Sequence, residues 1–368
     1  MEKNAVVLLG CGDIGPTHEP IGNYSSLARS TLATGDVRFS QCERVYSERG
    51  TLHPIYGHSR RHSRASPHMA TIFSDCGFDV VSVASNHGLD WGEVALIDTI
   101  ELFQKKGIRT CGAGRNLREA RKPAIIERNG VTLAFLAYCS IVQQGYAAGS
   151  GTTGIAPLRA YTHYEPVDYN AGVPPRVVTI PYAEDLQAMV EDIAAAKQKA
   201  DVVILSLHWG VHYIPRIVAE YQPIVMQAAI NAGVDLILGH HPHVPKAIEV
   251  YKEKVCFYSL GNFMMTSEKS PESAVTFTRK YGIKLDPEYP KLAYGPDGRR
   301  SLVAKAVITK AGVKKVSFLP ALIDEHLRTE ILRRGDTRFD EMVRYMEWTS
   351  EGFAHTFTID GDEVLITS

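Results

Sequence analysis

The chain has 368 residues, with 45% hydrophobic and 22% charged side chains and a formal net charge of −1 at pH 7. This length suits one large α/β domain with an appendage, and the composition is that of an ordinary soluble globular protein. A charge so close to balance gives no electrostatic basis for binding nucleic acid or an anionic membrane, so we expect neither partner.

The chain starts with MEKNAVVLLGCGDIG, which runs directly into a predicted strand. Its apolar core is too short for a signal peptide and lacks a small-residue cleavage site, and no later stretch approaches the length of a transmembrane helix. The six cysteines are scattered and lie mostly in apolar runs, so we interpret them as buried free thiols of a reducing compartment. The sequence therefore predicts a cytoplasmic protein and leaves the oligomeric state open, with a homodimer as one alternative.

Short β-branched runs then alternate with helical patterns. The predicted strands cover 5–10, 79–85, 131–139, 201–209, 234–239 and 255–261, and the predicted helices cover 95–107, 183–200 and 221–233. Gly107 and Gly233 stand where C-terminal helix caps belong. This alternation predicts an α/β layered fold with a largely buried sheet.

Two later segments interrupt the alternation. Residues 140–182 are rich in Gly, Pro, Thr and Tyr and predict a long loop, and residues 264–300 are polar and contain proline. After them, 301–324 predicts a strand hairpin with Gly312 near its turn, and 338–353 predicts an amphipathic helix.

Nearly every predicted strand has a carboxylate, amide or imidazole at its C-terminal end. The residues concerned are Asp13, Glu43, Asn86, His87, Asp90, His208, His241, His243 and Asn262. Strand ends of an open α/β sheet converge on one crevice, so together these side chains form a ligand set for one or two divalent cations. Because the set mixes nitrogen with carboxylate ligands, it suits Mn, Zn or Fe, whereas an all-oxygen set would favour Mg or Ca.

Each of these residues also has an ordinary structural explanation. An Asp after a strand is often a turn or helix cap, and His208, beside Trp209 in an apolar run, is typical of a core histidine. His241 and His243 share one face if their strand continues, or splay apart if the chain turns at Pro242. The repeated placement at strand ends is what favours a metal site.

Five motifs occur in the order seen in CapA-type poly-γ-glutamate synthesis proteins, and the chain resembles that family over about residues 5–265. The motifs are GCGDIG, FSQCE, FDVVSVASNHGLDWG, LSLHWGVHY and AAINAGVDLILGHHPHVPKAIEVYKEKVCFYSLGNF. The resemblance implies the α/β fold of the calcineurin-like metallophosphoesterases, a four-layer αββα sandwich with a metal centre at the strand ends. It divides the chain into a CapA-like domain at 1–265 and a C-terminal extension at 266–368 that packs on the same domain.

The resemblance also implies a role for each matching residue. The metal ligands would be Asp13, Glu43, Asn86, His208, His241 and His243, and His87, with Asp90 near it, would face the substrate as acid or electrophile. His240 matches less well and is expected beside the ligands or in solvent. The chain departs from the family pattern in three places. Where the family usually has Asn-Leu-Glu, this chain has Gln41-Cys42-Glu43, and where an acidic residue usually follows the His-Trp-Gly motif, it has His212. The histidine of the phosphoesterases' Asp-x-His motif is replaced by Gly15. Ser259 and Asn262 are further candidates to orient the ligands.

The basic segment HPIYGHSRRHSRASPH, residues 53–68, lies between Glu43 and Asn86 in the sequence. It is either a solvated loop or a substrate clamp in which Arg60, Arg61 and Arg64 bind an anion, since Arg binds carboxylate or phosphate in a bidentate manner. With His212 as a further contact, the second interpretation predicts a small anionic, carboxylate-bearing substrate. Tyr146, Tyr161, Tyr164 and Tyr169 are either a second wall of the site or packing residues.

The ligand set does not choose among three functions. The leading hypothesis is a metal-dependent hydrolase acting on an amide bond, such as a γ-glutamyl bond, or on a phosphoester. One alternative is proton abstraction next to a carboxylate at the same site, as in an epimerase or lyase. The other is a non-catalytic component of a poly-γ-glutamate synthesis complex.

Overall fold

The computed structural model describes residues 4–54 and 64–368. Through the first part of the chain the elements are β1 (Val6–Gly15), α1 (Arg29–Leu32), β2 (Val37–Cys42), β3 (Val45–Tyr46), β4 (Arg64–Ala65), α2 (Thr71–Asp75), β5 (Val80–Ser82), α3 (Gly92–Lys105), β6 (Arg109–Cys111), β7 (Ala113–Gly114), α4 (Leu117–Ala120), β8 (Ala124–Arg128) and β9 (Val131–Cys139). The middle part holds β10 (Gly154–Ile155), β11 (Ala160–Glu165), β12 (Arg176–Pro181), α5 (Ala183–Lys197), β13 (Val202–His208), α6 (Tyr221–Ala232), β14 (Leu236–His240), β15 (Ile248–Tyr251), β16 (Lys254–Phe257) and β17 (Asn262–Met265). The last part holds α7 (Pro271–Tyr281), β18 (Arg300–Thr309), β19 (Gly312–Ile323), β20 (Thr329–Ile331), α8 (Thr337–Ser350), β21 (Thr356–Asp360) and β22 (Glu363–Thr367).

The first sheet is built around β1, whose residues are all buried. Its strand order is β21-β22-β19-β18-β1-β2-β5-β6. β2, β5 and β6 continue the sheet in parallel on one side of β1, and β18 pairs with β1 antiparallel on the other side. β17 runs beside the end of β1 and places Asn262 opposite Asp13. β18, which belongs to the C-terminal extension, is therefore a neighbour of the first strand of the chain.

The second sheet has the order β15-β16-β14-β13-β9-β8. β13 lies between β14 and β9 and is parallel to both, and β16 is parallel to β14. The two outer strands, β8 and β15, are antiparallel to their neighbours. The ends of β13 and β14 therefore point in the same direction, with His208 opposite His240.

The two sheets pack face to face, and alternating residues of β9 show how. Phe135 lies in the core between the sheets and stacks on Phe39 of β2 at a centroid distance of 5.4 Å. Its neighbour Leu136 belongs to the core that the second sheet forms with α5 and α6, as expected from the two-residue period of a strand. In β1, Gly10 likewise faces Leu238 of the second sheet, while Leu9 packs against the chain just after α1.

Helices cover the outer faces of both sheets. α5 and α6 pack on the second sheet through apolar residues at helical spacing, among them Met189 and Ile193. α6 ends as predicted, because Gly233 adopts the left-handed conformation of a C-terminal cap. The short α1 and α2, together with α3, cover the first sheet. The predicted α/β fold with a four-layer αββα arrangement is confirmed.

Two segments contain more regular structure than their sequences predict. Residues 140–182, expected to form a loop, include the β11–β12 hairpin, most of whose residues are exposed. A hairpin without a buried face shows no apolar alternation, so its strands give no periodic signal. Residues 264–300 contain α7, which begins at Pro271 and ends at Tyr281. Ser270 is its N-cap and Gly282 is its C-cap.

The cysteines agree with a further expectation. All six cysteines are buried and unpaired. In the residues that the structure describes, no helix combines the length and the apolar character needed to cross a bilayer. The division of the chain at residue 265 stays a prediction.

Candidate metal centre

Strand ends from both sheets meet at one buried point. The first sheet contributes Asp13 in β1, Glu43 directly after β2 and Asn86 in the turn after β5, and the second sheet contributes His208 at the end of β13 and His241 and His243 after β14. None of these six residues is more than 6% exposed. The crevice expected at the edge of one open sheet is thus a junction between two sheets.

Asp13 is one of two carboxylates at this junction. Its Oδ2 accepts a hydrogen bond from the backbone N–H of His241 at 3.2 Å and lies 3.5 Å from Nδ1 of His243. Its Oδ1 lies 3.2 Å from Nδ1 of His240, without the alignment of a hydrogen bond. The three histidines at the end of β14 and just after it are therefore all arranged around Asp13.

Glu43 is the second carboxylate. Its Oε2 accepts a hydrogen bond from the Ser85 hydroxyl at 3.3 Å and lies 3.7 Å from Nε2 of His208. Its Oε1 lies 3.7 Å from Nε2 of His243 and 3.8 Å from Nε2 of His87. Glu43 therefore stands between the ligands from the second sheet and the turn after β5.

The chemistry of these atoms fits a divalent cation. Ligand atoms of Asp13, Glu43 and His208 lie within 4.8 Å of one another. Asp13 Oδ1, Glu43 Oε1, His208 Nδ1 and His241 Nδ1 are buried with no hydrogen-bond partner among the described residues. Burial, and then the charge of Asp13, raise the pKa of Glu43 well above its ordinary value. Since buried charges without a counter-charge cost several kcal/mol each, a cation would stabilise this cluster, and its N/O donors suit Mn, Zn or Fe.

Asn86 joins the cluster through its side-chain oxygen. Asn86 Oδ1 lies 2.8 Å from Nε2 of His208, and Gln143 donates a hydrogen bond to the Asn86 carbonyl at 3.3 Å. The predicted ligands Asn86 and His208, which come from different sheets, are thus in direct contact.

The two histidines of the H-x-H pair splay apart because the strand does not continue. β14 ends at His240, and both His241 and His243 have left-handed backbones, with φ of 94° and 60°. Such conformations are costly for residues other than glycine and are concentrated at functional sites. The His241 ring lies 4.9 Å from His208, whereas His243 stacks on Tyr294 at 4.4 Å.

His87 has a carboxylate partner of its own. Its Nδ1 lies 2.7 Å from Oδ2 of Asp90. The other oxygen of Asp90 accepts a hydrogen bond from the Tyr146 hydroxyl at 2.8 Å, and Asp90 is fully buried. A carboxylate in this position favours the tautomer with a proton on Nδ1, so Nε2 of His87 faces Glu43 and the cluster.

Several neighbours hold the predicted ligands in place. Asn262 contacts Nδ1 of His243 through Oδ1 at 2.8 Å and donates to the His243 carbonyl at 3.1 Å. Ser259 accepts a hydrogen bond from the backbone of Gly261, whose carbonyl in turn accepts the N–H of Asp13. His240 is fully buried between Asp13 and Phe39, so it has no contact with solvent.

At Gly15, where the family pattern has a histidine, the space next to the backbone is occupied by Met265 and Arg44. A Cβ at Gly15 would lie 2.8 Å from the sulfur of Met265 and 3.0 Å from Nε of Arg44. The buried guanidinium of Arg44 donates instead to the carbonyls of Gly15 and Thr266. The space for a side chain at residue 15 is therefore filled, and no ligand comes from that position.

The candidate substrate contacts fall in different places. Arg60 and Arg61 lie outside the described residues. The guanidinium of Arg64 lies 3.6 Å from the centroid of the Trp91 ring. His212, by contrast, joins the cluster, because its ring lies 3.8 Å from that of His241.

The four candidate tyrosines divide into two groups. Tyr146 is buried against Asp90, and its ring meets that of His53 edge-on at 5.4 Å. The other three tyrosines are exposed and lie in β11 or in the loop that connects it to β12: Tyr161, Tyr164 and Tyr169. Only Tyr146 is therefore seen in contact with the candidate centre.

Sequence reasoning missed the contribution of residues 264–300. This segment brings Tyr294 onto His243 and places Tyr281 against Tyr213, the neighbour of His212. It also brings Lys269 and Lys280 close enough to affect the histidines electrostatically. The segment has no motif and no strand period, so no feature of its sequence marked it as part of the site.

The metal-free protein is expected to lose stability in mild acid. Burial, followed by neighbouring histidines, lowers the pKa of His208, His212 and His241 well below the ordinary value, and burial lowers the pKa of His243 to about 4. Between about pH 4 and 6.5 the unfolded chain therefore binds more protons at these histidines, and acidification favours unfolding by up to about 1.4 kcal/mol per pH unit for each histidine. Glu43, with its raised pKa, acts in the opposite direction but is a single group.

Urea denaturation of EDTA-treated protein at about pH 7 and pH 5.5 measures this effect, which should amount to several kcal/mol by the same linkage. The variant His243→Gln should show a smaller loss, and His326→Gln, at an exposed histidine, should behave like the wild type. A free energy of unfolding that does not change between the two pH values would contradict the expectation.

Comparisons with known proteins identify relatives along the same part of the chain. Residues 17–267 match the family described as "Bacterial capsule synthesis protein PGA_cap". The chain is 32% identical to "PGA biosynthesis protein CapA" of Bacillus subtilis (strain 168) over 204 residues, which is 55% of this chain and 47% of that protein. It is 30% identical to "Capsule biosynthesis protein CapA" of Bacillus anthracis over 207 residues, 55% of this chain and 44% of that protein.

The chain spans about half the length of the curated relatives it matches. Among solved structures, it resembles the calcineurin-like phosphoesterase YfkN from Bacillus subtilis with 13% identity and a TM-score of 0.40, over 94% of this chain and 98% of that one.

Proposed function

The chain belongs to the PGA_cap family of bacterial capsule synthesis proteins, and we propose that it is a metal-dependent hydrolase of a small anionic, carboxylate-bearing substrate. The bond would be an amide of the γ-glutamyl type or a phosphoester. The observation that supports this proposal is the buried cluster of Asp13, Glu43 and His208 with its unpaired ligand atoms, next to a histidine oriented by its own carboxylate.

The residues that would hold one or two ions of Mn, Zn or Fe are Asp13, Glu43, Asn86, His208, His241 and His243. When bound, such an ion would polarise a carbonyl or phosphoryl oxygen and activate water. Asn262 would keep the His243 ring in its orientation through the contact at Nδ1, a type of support that commonly fixes the tautomer of a ligating histidine.

His87 would deliver the proton to the leaving group. Asp90 stabilises a positive charge on the imidazole and holds a proton at Nδ1, which leaves Nε2 to give a proton to, or take one from, a group at the cluster. The Tyr146 hydroxyl fixes Asp90 by donating to its other oxygen. Since the His87 side chain is 14% exposed, it can reach a substrate that enters from solvent.

Two lysines near the cluster support an anionic substrate. The pKa of His212 is lowered first by burial, then by neighbouring histidines and then by the charge of Lys280. The pKa of His243 is lowered mainly by burial, with smaller contributions from His87 and Lys269. Positive charge near a site attracts negatively charged ligands and raises their local concentration. Binding of a carboxylate-bearing molecule would therefore be favoured on this side.

Reloading of metal-free protein with Mn, Zn or Fe tests the proposal directly. We expect hydrolysis of γ-glutamyl-alanine or of p-nitrophenyl phosphate, abolished by EDTA and restored by one of the metals. If protein with a full equivalent of bound metal cleaves neither compound, the hydrolase proposal is wrong. Running the γ-glutamyl reaction in D2O separates hydrolysis from proton exchange next to the carboxylate, which an epimerase or lyase would show.

A second candidate function is that of an accessory component of polyglutamate synthesis. Two relatives in Mycobacterium tuberculosis carry the name "Probable polyglutamine synthesis accessory protein". The β11–β12 hairpin exposes apolar side chains such as Tyr164 and Val167, at 69% and 60%, as expected of a protein contact. For this function, removal of residues 160–181 would stop polymer formation in producing cells without changing metal content.

A further inference from the structure

A cavity of about 370 Å³ adjoins the candidate metal centre. We call it the tyrosine pocket and define it by Tyr213, Tyr281, Ile283, Lys284, Tyr294 and Asp297, which line it. Its size is in the ordinary range for small-ligand sites, and a cavity of about 150 Å³ already holds a benzene. It can therefore receive a ring together with its substituents.

The walls of the tyrosine pocket are shared with the cluster. Tyr213 stacks on His212 at a centroid distance of 4.5 Å, nearly parallel, and lies 6.0 Å from His243. Tyr294 also stacks on His243, at 4.4 Å, and lies 6.0 Å from Tyr213. A molecule in the pocket is thus separated from the metal-site histidines by no more than one ring.

One wall is held in a strained conformation. Tyr213 has a left-handed backbone with φ of 63°, and its N–H donates to the Pro242 carbonyl at 2.9 Å. The fully buried Lys246 donates its ammonium hydrogens to the carbonyls of Ile214 and Ile217. These contacts fix the wall before any ligand binds, which lowers the cost of binding.

The opposite wall comes from outside the family match. Tyr281 is the last residue of α7, and Ile283, Lys284 and Tyr294 follow it, all beyond residue 267. The wall is closely packed, because a Cβ at Gly295 would come within 2.4 Å of Ile283. The pocket is therefore built partly by a segment that the family's shared sequence pattern does not include.

The chemistry of the lining selects a class of ligand. Three tyrosine rings, Tyr213, Tyr281 and Tyr294, line the pocket, and an aromatic ring packs favourably against the edges and faces of such rings. At the rim, Asp297 is neutralised by Arg300, whose Nε lies 3.0 Å from its Oδ1. Lys284 is exposed and forms no ion pair within the described part of the chain. The pocket therefore combines a surface for a planar ring with a positive charge at its mouth.

We infer that the tyrosine pocket binds the non-reacting end of the substrate, and that this end is an aromatic ring carrying an acidic group. The inference rests on the proposed function in that it names the substrate class of the same site. It requires neither metal nor turnover, because the ring and the charge are bound by residues that are not metal ligands.

Calorimetric titration with N-acetyl-phenylalanine and N-acetyl-alanine tests the inference. The two compounds share the amide and the carboxylate and differ only in the ring, so the wild type should bind the first about ten-fold more tightly. Tyr281→Ala should weaken N-acetyl-phenylalanine about five-fold, and Lys284→Gln, at an exposed position that cannot affect folding, about three-fold. Tyr169→Ala and Lys291→Gln are matched controls that should leave the affinity unchanged.

Equal affinity for the two compounds, or wild-type affinity in both pocket variants, would overturn the inference. Its failure is distinguishable from failure of the proposed function. A ring preference without hydrolysis of any substrate supports the pocket and refutes the hydrolase, whereas hydrolysis without a ring preference does the reverse.

Discussion

Replacement of Asp13 by Asn is expected to remove most of the divalent metal that the protein binds, with little change in its fold. Asp13 is fully buried and is surrounded by His240, His241 and His243. Loss of a partner that only supports a metal ligand commonly weakens binding by about 10–100-fold, so loss of a direct ligand charge should weaken it by more than about 100-fold. Metal analysis after gel filtration, with calorimetric titration of Mn or Zn, gives the numbers.

The same variant has a second signature in its stability. Wild-type protein should gain about 2.7 kcal/mol when metal is present at 100 times its dissociation constant, and Asp13→Asn should lose this gain. Without metal, the variant should be no less stable than the wild type, because the charge of Asp13 no longer opposes ionisation of Glu43. Asp235→Asn is a control at another buried carboxylate, which is paired with Lys197 and Lys254 instead. Full metal content in Asp13→Asn would show that the cluster is not the metal site.

Replacement of His87 by Gln is expected to reduce kcat by about 10²–10⁴-fold while metal binding stays close to that of the wild type. The reason is that Nε2 of His87 lies 3.8 Å from Oε1 of Glu43. In the proposed role, His87 is next to the metal ligands but does not itself bind the metal. The assay is turnover of whichever substrate the metal-loaded wild type cleaves, with metal content measured on the same samples.

The variant Asp90→Asn tests whether Asp90 only orients the His87 ring or also supports proton transfer by His87. An amide at this position still contacts Nδ1 of His87 but cannot stabilise a charged imidazole, so kcat should fall. Tyr146→Phe, which removes only the hydroxyl that holds Asp90, should have a smaller effect. If His87→Gln lost metal and activity to the same extent, His87 would be a ligand and the proton-transfer role would be wrong.

The fold was predictable where burial determines which residues of a segment are apolar. The continuous apolar run of β9 is predicted to the residue, since a strand covered on both faces has no polar positions. The β11–β12 hairpin was not predictable for the opposite reason: most of its residues are exposed, and exposed strands lack the apolar alternation that marks a strand in sequence.

The candidate cluster was predictable because its members follow recognisable strands, and strand ends converge. That Asp13 and His208 come from different sheets was not predictable from residue patterns alone, because pairing between sheets depends on tertiary packing. The contacts of Tyr281 and Tyr294 depend on how an irregular segment returns to the site, and no local rule encodes such a path.

The pairing of β1 with β18 has a consequence for synthesis of the protein. β1 is mostly apolar and is buried along its whole length, and the strand that pairs with its Val6–Cys11 part begins only at Arg300. Translation at about 5–20 residues per second separates the two by roughly 15–60 s. During that time β2 can cover one edge of β1, but the other edge stays open, and open apolar edges promote aggregation. The nascent chain is therefore expected to depend on a chaperone until its last third has been made.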